Sequence, residues 1–442
     1  MIVLLFNNVF ECQHASGCVG IFFRGCFLLR KISCLSFLTE WSIKFTAQLF
    51  NVPSIPLPIM NTTNRTESID LLRGFIMMLM ALDHASAMIG RRHFSELWGV
   101  PFGGYPDWGW WLTRFLSHLC APGFFFLMGM SIFLFAQKRL QSNWSVGQIQ
   151  QYFLQRGGMI LLLMFFLEFP AWGISMALRI PNPAIDTPVV EMPGQMGSYF
   201  LIPTSVLYGL GACMMIAGFL WRLKAWQWLS ITVGCFLLSW WYISTANPRV
   251  GFSAWEHFLL VPGKSPGALV IYPIIPWLGM TTFGLFWAQL LQKRPAQIYA
   301  ISAFTGLVFI AIFVGLRFLD WGNFSIAEND SWIEFFTLVK YPPSVAFALI
   351  TIGINLLLLF LFSKLVGKSW LHPVKVFGQT AMFFYLAHLY LYAFMGIAFR
   401  SGCSIGIMYS CWLVGLVLLY FICARFLAFK KTKANDSLWR MI

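Results

Sequence analysis

Long runs of apolar residues recur along almost the whole chain, and short polar connections separate them. A helix that crosses a bilayer needs about 20 such residues, and apolar runs of this length predict membrane spans rather than strands. Ten spans are predicted, near residues 70–90, 115–137, 157–178, 199–221, 224–244, 268–291, 297–318, 344–363, 376–398 and 404–428. The predicted fold is all-α, a polytopic membrane protein with about ten transmembrane helices in one bundle.

Composition agrees with this prediction and excludes a soluble domain and a disordered chain. The chain of 442 residues is 59% hydrophobic and 10% charged, whereas a soluble domain is roughly 45–50% apolar and about 25% charged. Its aromatic content of 18% also excludes a disordered chain. The net charge of +14 comes from basic residues in short loops between spans, where Lys and Arg orient helices. The expected partner is the lipid bilayer, and nucleic acid is not expected.

The basic loops alternate with mixed or acidic ones. The connections at 138–156, 222–224, 293–294 and 364–375 carry Lys or Arg and no acidic residue. Positively charged loops stay on the cytoplasmic side. Ten spans with this alternation place both termini in the cytoplasm.

Residues 1–59 differ from the rest of the chain. They show no clear helical period, hold four cysteines and end in a stretch broken by prolines, and a second start is available at Met60. No secretory signal pattern is evident. We predict that 1–59 is an N-terminal extension, disordered or not translated, with an interfacial helix as the alternative, and that 60–442 carries the function.

The first span contains four ionisable residues: Asp70, Arg73, Asp83 and His84. Such groups are costly inside a membrane, so they are candidates for function. Arg73 lies near the predicted cytoplasmic end, and His84 follows eleven residues later, about 16 Å further along a helix axis. Arg73 has a structural alternative, in which it only extends to the inner surface.

Two further histidines lie at a depth similar to that of His84. His118 opens the second span and His388 lies in the ninth, both in the predicted outer half. Histidine exchanges protons near neutral pH, so three convergent histidines suit acid–base chemistry. Structural alternatives are an interfacial cap for His118 and a packed side chain for His388. Glu168, just before Pro170 in the third span, either supports the site or bridges helices.

Two proline-containing segments add to the candidate site. Lys340 and Tyr341 precede two prolines at the start of the eighth span. A cation at a rigid entry suits an anionic or carbonyl-bearing ligand, with helix capping as the alternative. Pro273 and Pro276 predict a break inside the sixth span, which would line a cavity or be stabilised by neighbouring helices. No metal is predicted, because the histidines do not show an HxxxH spacing.

Five segments form an ordered set of motifs: Ser68–Gly74 with Leu82–His84, Ser117–Pro122 with Phe126–Gly129, Tyr272–Trp277, Lys340–Ser344 and Phe383–His388. By these segments, in the same order, the chain from about residue 65 to 430 resembles bacterial relatives of heparan-alpha-glucosaminide N-acetyltransferase. The separation of Arg73 from His84 is also similar to the arginine-to-histidine signature of the wider membrane acyltransferases.

This resemblance implies a membrane-bound acyltransferase of the bacterial inner membrane. An acyl group, usually acetyl, would pass from cytoplasmic acyl-CoA to an amine or hydroxyl of an envelope or periplasmic saccharide. His84 would be the general base or a transient acyl carrier, and Arg73, with Asp70, would meet the donor. Asp83 or Glu168 would orient a histidine. Lys340, Tyr341, Tyr385 and His388 would support the site or the substrate.

The resemblance leaves several points open. The lysosomal enzyme is expected to use an asparagine in the first helix and a histidine in the following loop, whereas here the helix has His84 and the loop His93. The division of roles among His84, His93 and His118 therefore stays open, as do direct or covalent transfer and homo-oligomerisation. The rival prediction is a proton-coupled transporter that uses Asp83, His84 and Glu168 as a relay. The hydropathy lacks the two-halved repeat that many transporters show.

Overall fold

A computed structural model describes residues 62–92, 94, 96–99, 102, 104–182, 202–248, 251–265, 267–324, 331–434, 437 and 439. These residues belong to one packed unit, Leu57–Ile442. The predicted extension 1–59 and His93 lie outside the described residues.

Helices make up most of the described chain. Their bounds are α1 Thr62–Met88, α2 Trp108–Ser117, α3 Cys120–Gln141, α4 Val146–Leu163, α5 Phe169–Ala177, α6 Val206–Phe219, α7 Ala225–Thr245, α8 Ala254–Leu259, α9 Ile274–Lys293, α10 Ile298–Phe318, α11 Trp332–Phe335, α12 Val345–Lys364, α13 His372–Gln379, α14 Ala381–Met395 and α15 Ile405–Lys431. A π-helical segment, Met164–Glu168, joins α4 to α5, and short 3₁₀ turns, Ser369–Leu371 and Gly396–Phe399, precede α13 and follow α14.

Nine helical segments among the described residues are long and apolar enough to cross a bilayer. One continues from α2 into α3, and another from α4 through the π segment into α5. In the predicted fourth span the helix is α6, which has 14 residues. The all-α, polytopic prediction is confirmed, and nine of the ten predicted spans contain a helix of spanning length.

The start of the predicted sixth span is wrong. Residues 268–270 form β3 (Ala268–Val270), which pairs parallel with β1 (Ile202–Thr204) and antiparallel with β2 (Gly263–Ser265) in a small sheet of order β1-β3-β2. Pro273 is the N-cap of α9, and Pro276 lies in the first turn of that helix. Proline is tolerated there because the first backbone N–H groups need no helical partner. The two prolines therefore begin the helix and do not break it.

Polar side chains at the helix starts satisfy the free N–H groups. Asp107 accepts hydrogen bonds from the backbone of the first turn of α2, at 2.8 and 3.2 Å. Ser145 and Gln148 form a reciprocal capping box at α4, and Ser344 caps α12. Such caps define where each helix begins.

Two helix crossings depend on glycine. A Cβ atom on Gly74 would lie 1.8 Å from the carbonyl oxygen of Val374, and one on Gly378 would lie 1.8 Å from that of Asp70. These paired contacts bring α1 and α13 into backbone contact. Gly129 of α3 and Gly284 of α9 make the same kind of crossing, with 2.0 Å to the nearest oxygen in each case. Small residues permit close approach between helices in membranes.

An aromatic core connects these helices to the loops before α9 and α12. Phe125 of α3 packs on Trp277 of α9, with ring centroids 4.9 Å apart. Tyr272 packs on Trp277 and on Tyr341, and Phe347 of α12 is fully buried in the same cluster. The loop that holds Tyr341 is thereby fixed against α3 and α9.

Candidate functional site

His84 and His388 form a hydrogen-bonded pair. His84 lies near the end of α1 and His388 in the middle of α14, and their Nδ1 and Nε2 atoms are 2.6 Å apart. The Nδ1 atom of His388 lies 2.9 Å from the carbonyl oxygen of Phe384. A carbonyl oxygen only accepts hydrogen bonds, so Nδ1 of His388 carries the proton and its Nε2 accepts from His84. In the neutral pair, Nε2 of His84 is therefore the nitrogen without a proton.

The pair is enclosed by protein. His84 is 9% exposed and His388 is fully buried. The unprotonated Nε2 of His84 can accept a proton, or attack an acyl group, in a site from which water is largely excluded.

Glu168 organises the rings around His84. It lies at the end of the π segment, a kind of interruption that is frequent at functional sites. Its carboxylate accepts hydrogen bonds from the hydroxyl of Tyr385 at 2.5 Å, from Ser205 and from Trp172. Trp172 and Tyr385 both pack edge-on against His84, with ring centroids 5.3 and 6.3 Å away. Glu168 therefore holds both of the rings that pack against His84.

Arg73 lies toward the other end of α1. Its guanidinium donates hydrogen bonds to Asp70 at 2.9 Å, to Ser131 of α3 at 3.1 Å and to the carbonyl of Gly378 at 3.2 Å. The close crossing of α1 and α13 supplies the last of these contacts. Arg73 is thus held in one orientation while its side chain stays 23% exposed.

A cavity of about 350 Å³ extends from Arg73 to Tyr385. Along α3 its lining runs from Phe124 to Phe135, about 16 Å of helix. The walls are largely apolar, and the basic residues that line it are Arg73, Arg156 and Lys430. Tyr385 also packs against His84. The cavity therefore leads from these cations to a residue that borders the histidine pair.

A second buried cluster lies beside Asp83. Arg114 of α2 makes a two-point contact with Glu96, at 2.8 and 3.0 Å, and donates to Asp83 at 2.9 Å. Ser117 also donates to Asp83, at 2.9 Å. Nε2 of His118 lies 3.3 Å from Glu96. His118 therefore belongs to this cluster, whereas His84 and His388 form the other.

The charges in this cluster set the protonation state of the loop residues. Burial by itself acts to raise the pKa of Glu96, but Arg114 and His118 outweigh it and hold the pKa well below its usual range. Tyr105 donates a hydrogen bond to Glu96 at 2.7 Å. Burial, followed by the Glu96 charge, raises the pKa of Tyr105 well above its ordinary value. Glu96 is thus an ionised carboxylate inside the protein.

Lys340 and Tyr341 are fixed to the same loop. Their backbone N–H groups donate to the carbonyl of Glu96 at 3.1 and 3.2 Å. The hydroxyls of Tyr341 and Tyr272 are 3.4 Å apart. The pKa of Tyr272 is raised by burial and then by Tyr341, Asp83 and Tyr385. The charge of Asp83 therefore reaches Tyr272, which itself packs on Tyr341.

Sequence reasoning did not identify three of these positions. Arg114 lies one residue before the predicted second span, and Glu96 lies in a loop, so neither counted as a charge in the membrane. Asn355, buried in α12, donates to the carbonyl of Leu119 at 3.2 Å, where α2 passes into α3. A single amide inside the apolar run of the eighth span was the signal available for Asn355.

The structure groups the predicted residues into four places. His84 and His388 lie together with Glu168 and Tyr385, Asp83 lies with His118, Arg73 with Asp70, and Lys340 with Tyr341. Within the described ranges, no group of three or more side chains is arranged to hold a metal ion.

Comparison with known protein families identifies the family of the chain. A family model described as an acyltransferase domain matches residues 66–432, a segment that includes all four groups of site residues. No curated protein matches the chain.

Proposed function

Since the chain belongs to this acyltransferase family, we propose that it moves an acyl group across a membrane and that His84 is the residue at which transfer occurs. The donor is acyl-CoA on the cytoplasmic side of a bacterial inner membrane, and acetyl is the expected group. The acceptor is an amine or hydroxyl of an envelope or periplasmic saccharide. The observation that carries this proposal is the His84–His388 pair beside Tyr385, a residue that lines the cavity extending from Arg73.

The cavity supports the choice of donor. Arg73, Arg156 and Lys430 offer positive charge for the phosphates of coenzyme A, which guanidinium and ammonium groups bind well. The apolar walls suit the pantetheine arm and the acyl group. Asp70 holds Arg73 in place from the same helix. A donor bound in this way directs its thioester toward Tyr385 and His84.

The histidine pair supplies a base with a defined role. As the acceptor's nitrogen or oxygen attacks the thioester carbonyl, Nε2 of His84 removes its proton, and the imidazolium is stabilised through His388. The C–S bond then breaks, and the thiolate leaves and takes the proton as a free thiol. In the covalent alternative, Nε2 first attacks the thioester carbonyl, the C–S bond breaks and the coenzyme A thiolate leaves. The acyl-imidazole then passes its acyl group to the acceptor, whose proton is released, and His84 is regenerated; ping-pong kinetics would favour this route.

The relationship to heparan-alpha-glucosaminide N-acetyltransferase is part of this proposal. It is supported by the ordered motifs from Ser68 to His388. A saccharide acceptor and a location in the inner membrane follow from that relationship. The transporter alternative is not favoured, because the family match is to an acyltransferase.

Release of free thiol tests the proposal. Purified protein in liposomes is given acetyl-CoA and longer acyl-CoA donors with an extract of envelope saccharides. We expect wild type to release thiol, and His84→Ala to lose about 100-fold or more of the rate, since acid–base groups contribute 10²–10⁴-fold.

His372→Ala is the matched control. His372 begins α13, and Tyr420 lies 3.3 Å from its Nδ1, away from the cavity and both buried clusters. It should keep the wild-type rate. Equal thiol release by wild type and His84→Ala would contradict the proposal.

A further inference from the structure

Aromatic and basic side chains form a cluster at one end of the cavity, where α3 passes into α4. Phe135 and Arg156 of this cluster line the cavity. Phe135 stacks on Tyr152 of α4, with ring centroids 4.4 Å apart and an angle of 15° between the planes. Trp144, in the connection between the two helices, packs edge-on against Tyr152 at 6.1 Å. The members of this α3–α4 cluster are Phe135, Arg139, Trp144, Tyr152 and Arg156.

Aromatic side chains hold both guanidinium groups of the α3–α4 cluster. Arg139 lies over the ring of Trp144, with its Cζ atom 4.4 Å from the centroid, and 5.0 Å from the centroid of Phe135. Arg156 donates a hydrogen bond to the hydroxyl of Tyr152 at 3.3 Å. Contacts of this kind orient a guanidinium. They leave most of its five N–H groups for another partner.

The positive charge of the cluster has no protein counter-charge among the described residues. No carboxylate there forms an ion pair with either Arg139 or Arg156. The chain has no acidic residue between Asp107 and Glu168, and both arginines are partly exposed. Guanidinium groups bind phosphate through pairs of parallel hydrogen bonds. Two oriented arginines beside a cavity therefore suit a phosphate group.

The cluster is separated from Arg73 along α3. Arg73 donates to Ser131 at 3.1 Å, and Phe135 and Arg139 follow Ser131 at intervals of four residues, which places them on the same face of the helix. Arg139 lies about 12 Å beyond Ser131 along the axis. The other end of the lining on α3 is Phe124. The cluster therefore adds a second group of cations farther from that end than Arg73.

Coenzyme A carries phosphate at two separate places. A diphosphate follows the pantetheine arm, and a further phosphate stands on the 3′ oxygen of the ribose. We propose that Arg139 and Arg156 bind this 3′-phosphate. With the thioester directed toward Tyr385, the diphosphate lies at the level of Arg73 and the ribose lies beside the α3–α4 cluster. The inference rests on the proposed function, because it takes coenzyme A as the donor.

This site narrows the class of donor. A thioester of free pantetheine or of a carrier protein has no ribose 3′-phosphate, so it would leave Arg139 and Arg156 without their ligand. The donor is therefore a nucleotide thioester that the protein recognises at the end remote from the acyl group.

Binding of coenzyme A without an acyl group tests the site separately from the reaction. Wild-type protein is placed in nanodiscs of phosphatidylcholine, which supply no anionic headgroup. Binding of coenzyme A and of dephospho-coenzyme A, which lacks only the 3′-phosphate, is measured by calorimetry. We expect coenzyme A to bind about tenfold or more tightly, because dephospho-coenzyme A cannot make the charge-assisted hydrogen bonds to this phosphate.

Variants of neighbouring basic residues make the result specific. Arg139→Gln and Arg156→Gln should each reduce the preference for coenzyme A, and the double variant should remove it. Lys138→Gln removes the same charge from an exposed neighbour, is the matched control and should keep the preference. Trp144→Leu keeps the charge of Arg139 but removes its supporting ring, so it should weaken the preference. If the double variant does not fold, the single variants provide the test.

An anionic lipid headgroup presents the same phosphate chemistry, and a second measurement separates the two sources. Phosphatidylglycerol that stays bound through purification is measured by mass spectrometry for wild type and for Arg139→Gln. We expect equal retention by the two proteins. Retention by wild type alone, without a preference for coenzyme A over dephospho-coenzyme A, would assign the cluster to lipid and overturn the proposal.

The outcomes also separate this inference from the proposed function. Equal binding of the two nucleotides, no binding of either, or a preference that survives the double variant would overturn the 3′-phosphate site, even where the protein releases thiol in a reaction that needs His84. A preference that the double variant loses, together with no thiol release by wild type, would support the site and reject the acyl-transfer proposal.

Discussion

The protonation of His84 follows from one backbone carbonyl. Phe384 fixes the proton on Nδ1 of His388, and His388 in turn fixes the proton on Nδ1 of His84. The order of donors leaves Nε2 of His84 as the basic nitrogen. A histidine whose tautomer is set by a neighbour is a common way to prepare a base or a ligand. In the proposed mechanism, His388 is therefore a positioning residue that acts through His84.

Replacement of His388 should lower turnover without changing donor binding. For His388→Ala we expect kcat to fall about 10- to 100-fold, within the range attributed to oriented acid–base groups, with the KM for acyl-CoA unchanged. His388→Gln should retain more activity, because its side-chain carbonyl can accept from Nδ1 of His84. Initial-rate kinetics with the thiol assay measure both parameters. A wild-type kcat for His388→Ala would show that the pair has no such role.

Three interruptions in the helices surround the site. The helix is interrupted at His118 and Leu119, between α2 and α3. A second interruption is the π segment that ends at Glu168, and a third is Thr380, between α13 and α14. An interrupted helix leaves backbone groups that need partners. Asn355 supplies one of these, because it donates to the carbonyl of Leu119. The interruptions thus place polar groups inside the bundle while neighbouring helices satisfy the backbone.

The ion pair between Glu96 and Arg114 of α2 should make the free energy of unfolding depend on pH under acid conditions. Burial alone would raise the pKa of Glu96, but Arg114 and His118 lower it well below the ordinary value of 4.5. A lowered pKa means that the ionised group stabilises the fold above pH 4.5 and that this stabilisation is lost as the pH falls through the native pKa. The substitution Glu96→Gln removes this electrostatic stabilisation at every pH.

We therefore expect Glu96→Gln to be less stable than wild type by about 3 kcal/mol at neutral pH, the size typical for breaking a buried ion pair. The difference should stay constant down to about pH 4.5 and shrink at lower pH. Thermal unfolding of both proteins from pH 7 to pH 3, followed by tryptophan fluorescence, measures it. A difference that is the same at every pH would contradict this role for Glu96.

The sequence predicts elements better than their ends. Apolar runs of spanning length give the helices, because a membrane helix must be apolar along its length. Residues 268–270 are also apolar but form a strand. The sequence therefore does not show that α9 begins only at Ile274. Arg114 falls just outside the predicted second span for a similar reason, since the tryptophans before it extend the helix back to Trp108.

The chemistry of the site is only partly visible in the sequence. Ionisable residues in apolar runs identify Arg73, His84, Glu168 and His388, because such groups are costly in a membrane. The pairing of His84 with His388 depends on how α1 packs against α14, which no local pattern records. The same holds for Glu96, a loop residue that is buried among side chains distant in sequence, including Arg114 and His118.

At the scale of the whole molecule, His84 lies between two different environments. The cavity with Arg73, Arg156 and Lys430 extends toward one end of α1, and the cluster of Asp83, Glu96, Arg114 and His118 lies toward the other. A donor and an acceptor could therefore approach the histidine pair from opposite sides. The alternation of basic loops predicts that the side with Arg73 is cytoplasmic. This arrangement is the reason to expect transfer across the membrane.

The most direct test measures on which side the product forms. Proteoliposomes enclose an extract of envelope saccharides, and acyl-CoA with a labelled acyl group is supplied outside, where it meets only the molecules whose Arg73 side faces out. We predict that labelled saccharide accumulates inside the vesicles with wild-type protein and does not do so with His84→Ala. Labelled product inside at the same rate with His84→Ala, or thiol release without any labelled saccharide inside, would contradict transfer across the membrane at His84.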